Sequence, residues 1–456
     1  MYIVITGENC HTGEYIAEEI SKVIDEVGPE KISAVVSDNA ANMRSAWAII
    51  QEKYDHIFCY GCVAHGLHLL ANDLCAVDSI SKLVIRAKEI VKLVKYKHVP
   101  HAVFERVQRD HLKNGKPLQL LMPSATRWGT VAAMLQRLIH VQKSLQYMVM
   151  EEEVDAVVTG PVKTDILDSS VFWVQLKKLH SLMQPFADAI RRIESDRPGL
   201  SEVPQIFHEL QQHLDEALPQ SPVQKREETI IKKKFEQRRD FCISKLQLVA
   251  HLLDPKYCGI RLTEEQTTAA YDTICQLASM WITEGSEGSI AELCMAELAE
   301  FRAKGGIWKA GATWDAASSI PAATWWKGLF SNKALTKIAA RVLSLPATSA
   351  TAERNWSTHK HIQSAKRNRL TEDRTQKLVN IAFNLSSGNR KRKAAAKCTS
   401  AKQGKDSNSD SEVSDNANYA TDMELEINSE SHEQVDENEE LPGYKSSVIC
   451  FFSAVL

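Results

Sequence analysis

The chain has 456 residues, of which 44% are hydrophobic and 25% are charged, a composition typical of a globular protein with room for two or three domains. Lysine and arginine total 55 and aspartate and glutamate total 58, so the formal net charge of −3 excludes a uniformly basic protein that coats nucleic acid. No apolar run reaches the roughly 18 residues of a membrane-spanning helix, and the scattered cysteines are typical of a reducing compartment.

The first elements alternate between strand and helix patterns. Residues 2–5 and 32–36 are short runs rich in β-branched residues, which predict strands, and the apolar spacing over 12–27 predicts a helix between them. A strand, a helix and a strand within about thirty residues have the length of a βαβ unit, which predicts a parallel pair of strands. Three more elements are expected nearby: helices over 39–51 and 63–74, and a strand over 56–60.

From residue 75 to about 330 the pattern is helical. Apolar residues recur at the spacing of one helix face over 80–94 and over 131–148. Further helices are expected over 171–194, 202–217, 225–252, 264–282, 289–304, 335–343 and 371–385. The sequence therefore predicts an α/β start, a long helical block and a compact helical end.

Charge is segregated in the last part of the chain. Residues 387–405 include seven basic residues and no acidic one, whereas residues 406–440 include thirteen acidic residues and no lysine or arginine. Blocks of one sign with few aromatic residues bury too little apolar surface to offset the entropy of ordering, which predicts disorder over 387–447. Arg390–Lys393 is a candidate nuclear localisation signal, and a solvated basic run is the alternative.

Several strings, in order along the chain, resemble segments of the hAT superfamily of DNA transposases. They are Thr6–Tyr15 leading into Val36–Met43, then Cys62–His65, then Thr126–Trp128, and last Ala350–Ser357 followed by Arg367–Leu370. The resemblance implies a partial α/β RNase H-like core that is interrupted by a large all-α insertion, so that the protein is predominantly α overall. It also implies a C-terminal dimerisation region.

Four segments are expected on this resemblance. They are a partial RNase H-like catalytic core over 1–75, an all-α insertion domain over 76–330, C-terminal RNase H-like helices with the hAT dimerisation region over 331–386, and a disordered basic and then acidic tail over 387–456. Apolar faces over 335–343 and 371–385 predict a homodimer or higher oligomer. Trp325 and Trp326, just before that region, are expected to pack in the core.

The resemblance also implies a DDE site, in which three carboxylates hold two divalent metal ions that clamp a phosphodiester. Mg²⁺ suits this role because it is a hard cation that prefers oxygen ligands. Asp38 matches the second carboxylate and Glu353 the third, while a helix N-cap and a solvated side chain are their respective alternatives. The family's first carboxylate lies upstream of the segment that Met1 begins. We therefore expect an N-terminally truncated chain with an incomplete site, weak Mg²⁺ binding and no transposase activity.

Cysteine and histidine occupy every third position from His56 to His68. Structural zinc sites use two ligand pairs that converge across a loop, whereas these residues are expected to run from a strand into a helix. A zinc site is therefore the less favoured interpretation. The family has the pattern of Cys62 and His65 near its active site, so we expect these two side chains to line the site.

Two groups of residues are candidates for DNA contacts. Arg127 and Trp128 match a family motif that faces DNA, where an indole can stack on an unpaired base. A buried tryptophan that anchors a helix start is the alternative. Lys366, Arg367 and Arg369 can neutralise phosphates, and a solvated helix face is the alternative for them.

Three functions remain open from the sequence. The first is a transposase-derived nuclear protein that dimerises and binds DNA without catalysis. The second is an active DDE transposase or recombinase whose first carboxylate comes from an upstream exon. The third is a domesticated nuclear regulator that uses the acidic tail to bind partners. No membrane partner is expected.

Overall fold

The computed structural model describes residues 12–111, 117–124 and 129–349 except 156, 159, 169, 196–198 and 283–286, together with scattered positions from 362 to 385 and residues 451–452. The chain forms two compact units. One comprises residues 1–26 and 349–451, and the other comprises residues 27–348 and 452–456. The expected strand over 2–5 and nearly all of the expected disordered tail lie outside the described residues.

Helices make up most of the described structure. In chain order they are α1 (Gly13–Val27), α2 (Ala41–Lys53), α3 (Val63–Cys75), α4 (Asp78–Tyr96), α5 (His98–His111), α6 (Gly129–His140), α7 (Gln142–Met148), α8 (Glu152–Asp155), α9 (Pro161–Leu167), α10 (Phe172–Glu194), α11 (Val203–Ala217), α12 (Lys225–Cys242), α13 (Lys245–Leu253), α14 (Glu264–Trp281), α15 (Glu287–Arg302), α16 (Gly311–Ala316), α17 (Ala322–Leu329) and α18 (Ala334–Val342). None of the helices in the described ranges is long and apolar enough to cross a bilayer. The prediction of a predominantly α protein is confirmed.

A small parallel sheet lies near the start of the larger unit. Its central strand β1 (Ala34–Ser37) pairs in parallel with β2 (Phe58–Gly61), so that Ala34 is opposite Phe58 and Ser37 is opposite Gly61. All four residues of β1 are buried. Among the described residues the strand order is β2-β1-β3, where β3 is the two-residue strand Phe451–Phe452. The strands expected over 32–36 and 56–60 exist, each beginning two residues later than predicted, and α2 connects them as a βαβ unit.

The periodic segments form helices because their apolar faces are buried. In α1 the buried side chains include Ile16, Ile20, Val23 and Ile24, which share one face at helical spacing. In the larger unit, one continuous apolar core extends from Ala34 in β1 to Ala347 after α18. The apolar periodicity predicted these helices correctly, because the side chains that face the core recur at the helical spacing.

Two predicted helices are each divided into two. The segment predicted as one helix over 225–252 is α12 and α13, because Ser244 begins a new helix. Its backbone N–H donates to Gln247 Oε1 at 3.1 Å in a capping box, which satisfies backbone groups that a continuous helix would bond internally. The segment predicted over 131–148 is α6 and α7, which meet at Val141. The prediction did not include α5, whose Pro100 lies in the first turn, where a proline costs no helical hydrogen bond.

Candidate functional site

Asp38 lies at the carboxyl end of the parallel pair, directly after β1. Its side chain is exposed, and its Oδ1 accepts a hydrogen bond from the Ala40 backbone N–H at 3.0 Å. The N-cap position of α2 is occupied by Ala40, with no side-chain cap. The alternative role of Asp38 as the N-cap is therefore wrong. Asp38 forms a turn of the Asx type before the helix, which fixes its carboxylate at the edge where open α/β sheets bind ligands.

Asn39 ties the carboxyl ends of the two strands together. Its Nδ2 donates to the Cys62 carbonyl at 3.3 Å, and its Oδ1 is buried without a hydrogen-bond partner. The amide lies directly over Gly61, since a Cβ built on Gly61 would overlap with Asn39 Oδ1. The glycine at the end of β2 is therefore required by the close approach of Asn39. Sequence reasoning missed this contact, because nothing local links the two residues.

Ser37 holds the backbone beside Asp38 from two sides. The Ser37 carbonyl accepts from the Cys62 N–H at 2.7 Å, which extends the strand pairing by one bond. Its Oγ accepts from Trp47 Nε1 at 3.0 Å and donates to the Asp38 carbonyl at 3.1 Å. Trp47 belongs to α2, so the helix that follows Asp38 also fixes the strand that precedes it.

Cys62 and His65 lie at the start of α3, next to the same edge. Cys62 is buried at the N-cap position, and His65 is half-buried in the first turn. One turn after Cys62, Gly66 packs so closely against Cys242 that a Cβ there would overlap with the Cys242 Sγ. Burial raises the pKa of the Cys242 thiol to about 12. The structure thus places Cys62 beside the Asp38 edge, and its role in lining a site remains a prediction.

The chain returns to this edge shortly before the Ala350–Ser357 string. The Tyr60 hydroxyl donates to the Pro346 carbonyl at 2.7 Å, and the Val63 N–H donates to the Ala347 carbonyl at 3.0 Å. Pro346 and Ala347 are therefore fixed against the carboxyl end of β2 and the start of α3. Glu353 lies outside the described residues.

The cysteine and histidine residues of the 56–68 segment bond in different directions. His56 Nε2 is 3.0 Å from the Pro29 carbonyl, and His68 Nε2 is 3.0 Å from Glu194 Oε1. Burial raises the pKa of the Cys59 thiol to about 12, which disfavours the thiolate that binds metals. In the described part of the chain, no three His, Cys, Asp or Glu side chains form a group that could hold a metal ion.

The described residues do not by themselves fit Mg²⁺. The donors at the Asp38 edge are one exposed carboxylate and the Asn39 amide, whose oxygen is buried against Gly61. A two-ion site needs several carboxylates around near-octahedral cations. A second carboxylate would have to come from outside the described ranges, so we assign no reaction step to a metal ion.

The segment before the Arg127 and Trp128 motif is anchored by two buried polar side chains. Gln108 donates to the Leu118 carbonyl at 3.2 Å and accepts from the Leu118 N–H at 2.9 Å, as a neighbouring strand would. Arg137 donates to the Gln119 carbonyl at 2.8 Å. Because both side chains come from helices, they fix the extended chain to α5 and α6.

The described residues on the two sides of the Arg127 and Trp128 motif are also joined. The Ser124 N–H donates to Thr130 Oγ1 at 3.0 Å, and Thr130 is buried in the first turn of α6. Residues 125–128, which include Arg127 and Trp128, lie outside the described residues. The described residues on the two sides of this segment are therefore bonded to each other.

The C-terminal part contains a buried aromatic cluster. Trp308, Trp325 and Trp326 are buried and pack with Phe301. Phe330 is also buried and packs with the three tryptophans, and its ring centroid is 4.7 Å from that of Trp325. The prediction that Trp325 and Trp326 pack in the core is confirmed. We name these five residues the aromatic cluster. Lys366, Arg367 and Arg369 lie outside the described residues.

Two family models match the chain. Residues 4–90 match a domain of unknown function, DUF659, and residues 308–385 match the hAT family C-terminal dimerisation region. A comparison with curated proteins found no match. The two matches support the resemblance to hAT-family, transposase-derived proteins that the ordered motifs predicted, and the second match supports self-association.

Proposed function

We propose that this protein is a self-associating DNA-binding protein that descends from an hAT transposase and does not catalyse transposition. The observation that supports DNA binding is the hydrogen bond between Ser124 and Thr130, the described residues that flank the Arg127 and Trp128 motif. A segment that is held at both ends loses less conformational entropy when it binds than a free segment would. Arg127 and Trp128 supply a phosphate contact and a stacking surface.

DNA binding is tested by fluorescence anisotropy with a labelled duplex that carries unpaired bases at one end. We expect Trp128→Ala to weaken binding by about 1–3 kcal/mol, the usual value of one base stacked on an aromatic ring. Arg127→Ala should weaken binding and flatten its dependence on salt, because one phosphate contact is lost.

Lys225→Ala is the matched control for charge, because Lys225 is exposed on α12 and its replacement removes one positive charge. It should leave the affinity unchanged. Equal affinities for the wild type, the Trp128→Ala variant and the Arg127→Ala variant would contradict the proposal.

The expected RNase H-like core is supported by the parallel β1 and β2 pair and by the position of Asp38 at its carboxyl end. Glu353 follows Ala347 by six residues in the sequence. We propose that Asp38 and Glu353 are the remaining carboxylates of a DDE site, with weak Mg²⁺ binding at most.

Catalytic inactivity is tested by incubating the full chain with labelled transposon-end DNA and Mg²⁺. We expect no strand cleavage. Cleavage that disappears in Asp38→Asn would contradict the proposal and favour the active recombinase instead. Cleavage that persists in Asp38→Asn would indicate a contaminating nuclease.

Nuclear localisation is a further part of the proposal, based on the basic run Arg390–Lys393. A fluorescent fusion of the full chain should accumulate in the nucleus. Replacing the four residues with alanine should spread it through the cell, and unchanged nuclear accumulation would remove this part.

A further inference from the structure

The aromatic part of the dimerisation region is already occupied by contacts within the chain. Trp325 Nε1 donates to the Thr313 carbonyl at 2.7 Å, and Trp326 Nε1 donates to the Leu253 carbonyl at 2.8 Å. Between residues 308 and 349, which are all described, Leu329 is the one large hydrophobic residue that is exposed, at 46%. This part therefore offers little apolar surface to a partner.

The end of the dimerisation region is different. The described residues from 374 to 385 are helical, and Thr375 and Val379 are buried on one side. Among those described residues, three apolar side chains are exposed: Leu378 at 39%, Ile381 at 56% and Leu385 at 65%. We name these three residues the terminal stripe. Their spacing of three and then four residues places them on one face of a helix, as in helices that pair through an apolar seam.

We propose that the terminal stripe is the centre of the contact with a second copy of this chain, and that the aromatic cluster stabilises each copy instead. This inference rests on the self-association in the proposed function and assigns it to particular residues. A second copy is the occupant because the stripe lies inside the segment that matches the dimerisation region. In a two-fold dimer the same stripe contributes from both copies.

The size of the terminal stripe fits the centre of an interface but not a whole one. Stable interfaces bury about 800 Å² on each partner, which is more than three aliphatic side chains supply. In such interfaces a few central side chains supply most of the binding energy, and polar residues around them exclude water. Substituting the centre should therefore dissociate the dimer even though the surrounding residues remain.

The test is sedimentation equilibrium of the full chain over a range of concentrations. The double variant Ile381→Glu with Leu385→Glu places charges in the stripe, and glutamate retains a good helix propensity. We expect its dimer dissociation constant to rise at least about tenfold, a change of about 1.4 kcal/mol. Leu329→Glu makes the same chemical change at the exposed leucine of the aromatic part and should leave the constant unchanged.

Far-UV circular dichroism and the thermal midpoint of each variant check that the fold is kept. If the double variant fails to fold, Ile381→Ala replaces it, because truncating an exposed side chain perturbs a helix little, and its constant should rise severalfold. A folded stripe variant that dimerises as tightly as the wild type would contradict the assignment of the interface to the terminal stripe, but not self-association itself. Dissociation by Leu329→Glu alone would indicate that the interface lies in the aromatic part and would also contradict that assignment. A wild type that stays monomeric would overturn both the stripe and the proposed self-association.

Discussion

The two segments that match family models use their distinctive side chains in opposite ways. Around β1 and β2, polar groups gather at the sheet edge, and the Asp38 carboxylate is exposed and held by its own backbone turn. Between 308 and 349, the distinctive side chains are aromatic rings, which are buried and bonded within the chain. The first segment therefore presents a rigid polar edge to solvent, whereas the second supplies packing.

Substitutions in the two segments should therefore affect the protein in different ways. A change in the aromatic cluster should act mainly on the free energy of unfolding, because its contacts are made with the rest of the same chain. A change at the exposed sheet edge should act on stability only where two backbone segments approach closely. The following substitutions test that contrast.

The largest effect is expected in the aromatic cluster. Trp326→Ala should lower the free energy of unfolding by about 3–5 kcal/mol, because it leaves a cavity and an unpaired Leu253 carbonyl. Chemical denaturation by urea measures this loss. Trp326→Phe keeps most of the ring volume and should lose less, and Leu329→Ala, at an exposed position of the same segment, should change stability by about 0.5 kcal/mol or less. Equal losses for Trp326→Ala and Leu329→Ala would contradict the division between the segments.

An intermediate effect is expected at the sheet edge. Gly61→Ala should cost about 1–3 kcal/mol, because the new Cβ overlaps with the Asn39 amide that bonds Cys62. Gly328→Ala is the matched control, since nothing lies within 4 Å of a Cβ there, and it should stabilise α17 by up to about 1 kcal/mol. The double variant Asn39→Ala with Gly61→Ala should cost less than the sum of the two single variants, because Asn39→Ala removes the amide with which the new Cβ at position 61 would overlap. Strictly additive costs would show that the two residues are not in contact.

The smallest effect is a dependence on pH near the aromatic cluster. His251 is fully buried in α13, its Nδ1 is 2.7 Å from the Ser201 carbonyl, and its ring stacks on Tyr257. Burial lowers its pKa below the ordinary value of 6.5, although the Ser201 carbonyl opposes this. The unfolded chain therefore binds the proton more readily, so stability that is present above pH 6.5 is lost as the pH falls below it.

His251→Asn keeps a donor for the Ser201 carbonyl and removes the titration. Urea unfolding at several pH values between about 7.5 and 5 should show a shallower loss of stability on acidification for this variant than for the wild type. His180, whose pKa burial also lowers, keeps part of the slope in both proteins. Parallel slopes for the two proteins would contradict the assignment to His251.

The sequence predicted those features whose signal is local. Periodic apolar residues predicted α1, α10 and α14 to within one or two residues of their observed ends. The break at Ser244 was missed, although Ser244 and Gln247 are a capping pair in the sequence. The apolar periodicity continues on both sides of Ser244, so the break between the two helices is recognised only when the capping pair is considered.

The candidate site was predictable only in part. The position of Asp38 at the end of a strand followed from the sequence, but the Asn39 contact with Gly61 and the Pro346 contact with Tyr60 did not. These pairs are brought together by the tertiary fold, which leaves no periodic signal. The same reason explains why Trp325 and Trp326 were assigned to the core while their partners Phe301 and Trp308 were not identified.

Self-association of this chain can be measured by sedimentation velocity of the full wild-type protein at micromolar concentration. We expect a principal species of twice the 51.1 kDa chain mass, or a larger multiple of it. A single species of 51.1 kDa at every concentration up to roughly 100 μM would contradict self-association, because a stable interface is expected to have a dissociation constant below that concentration.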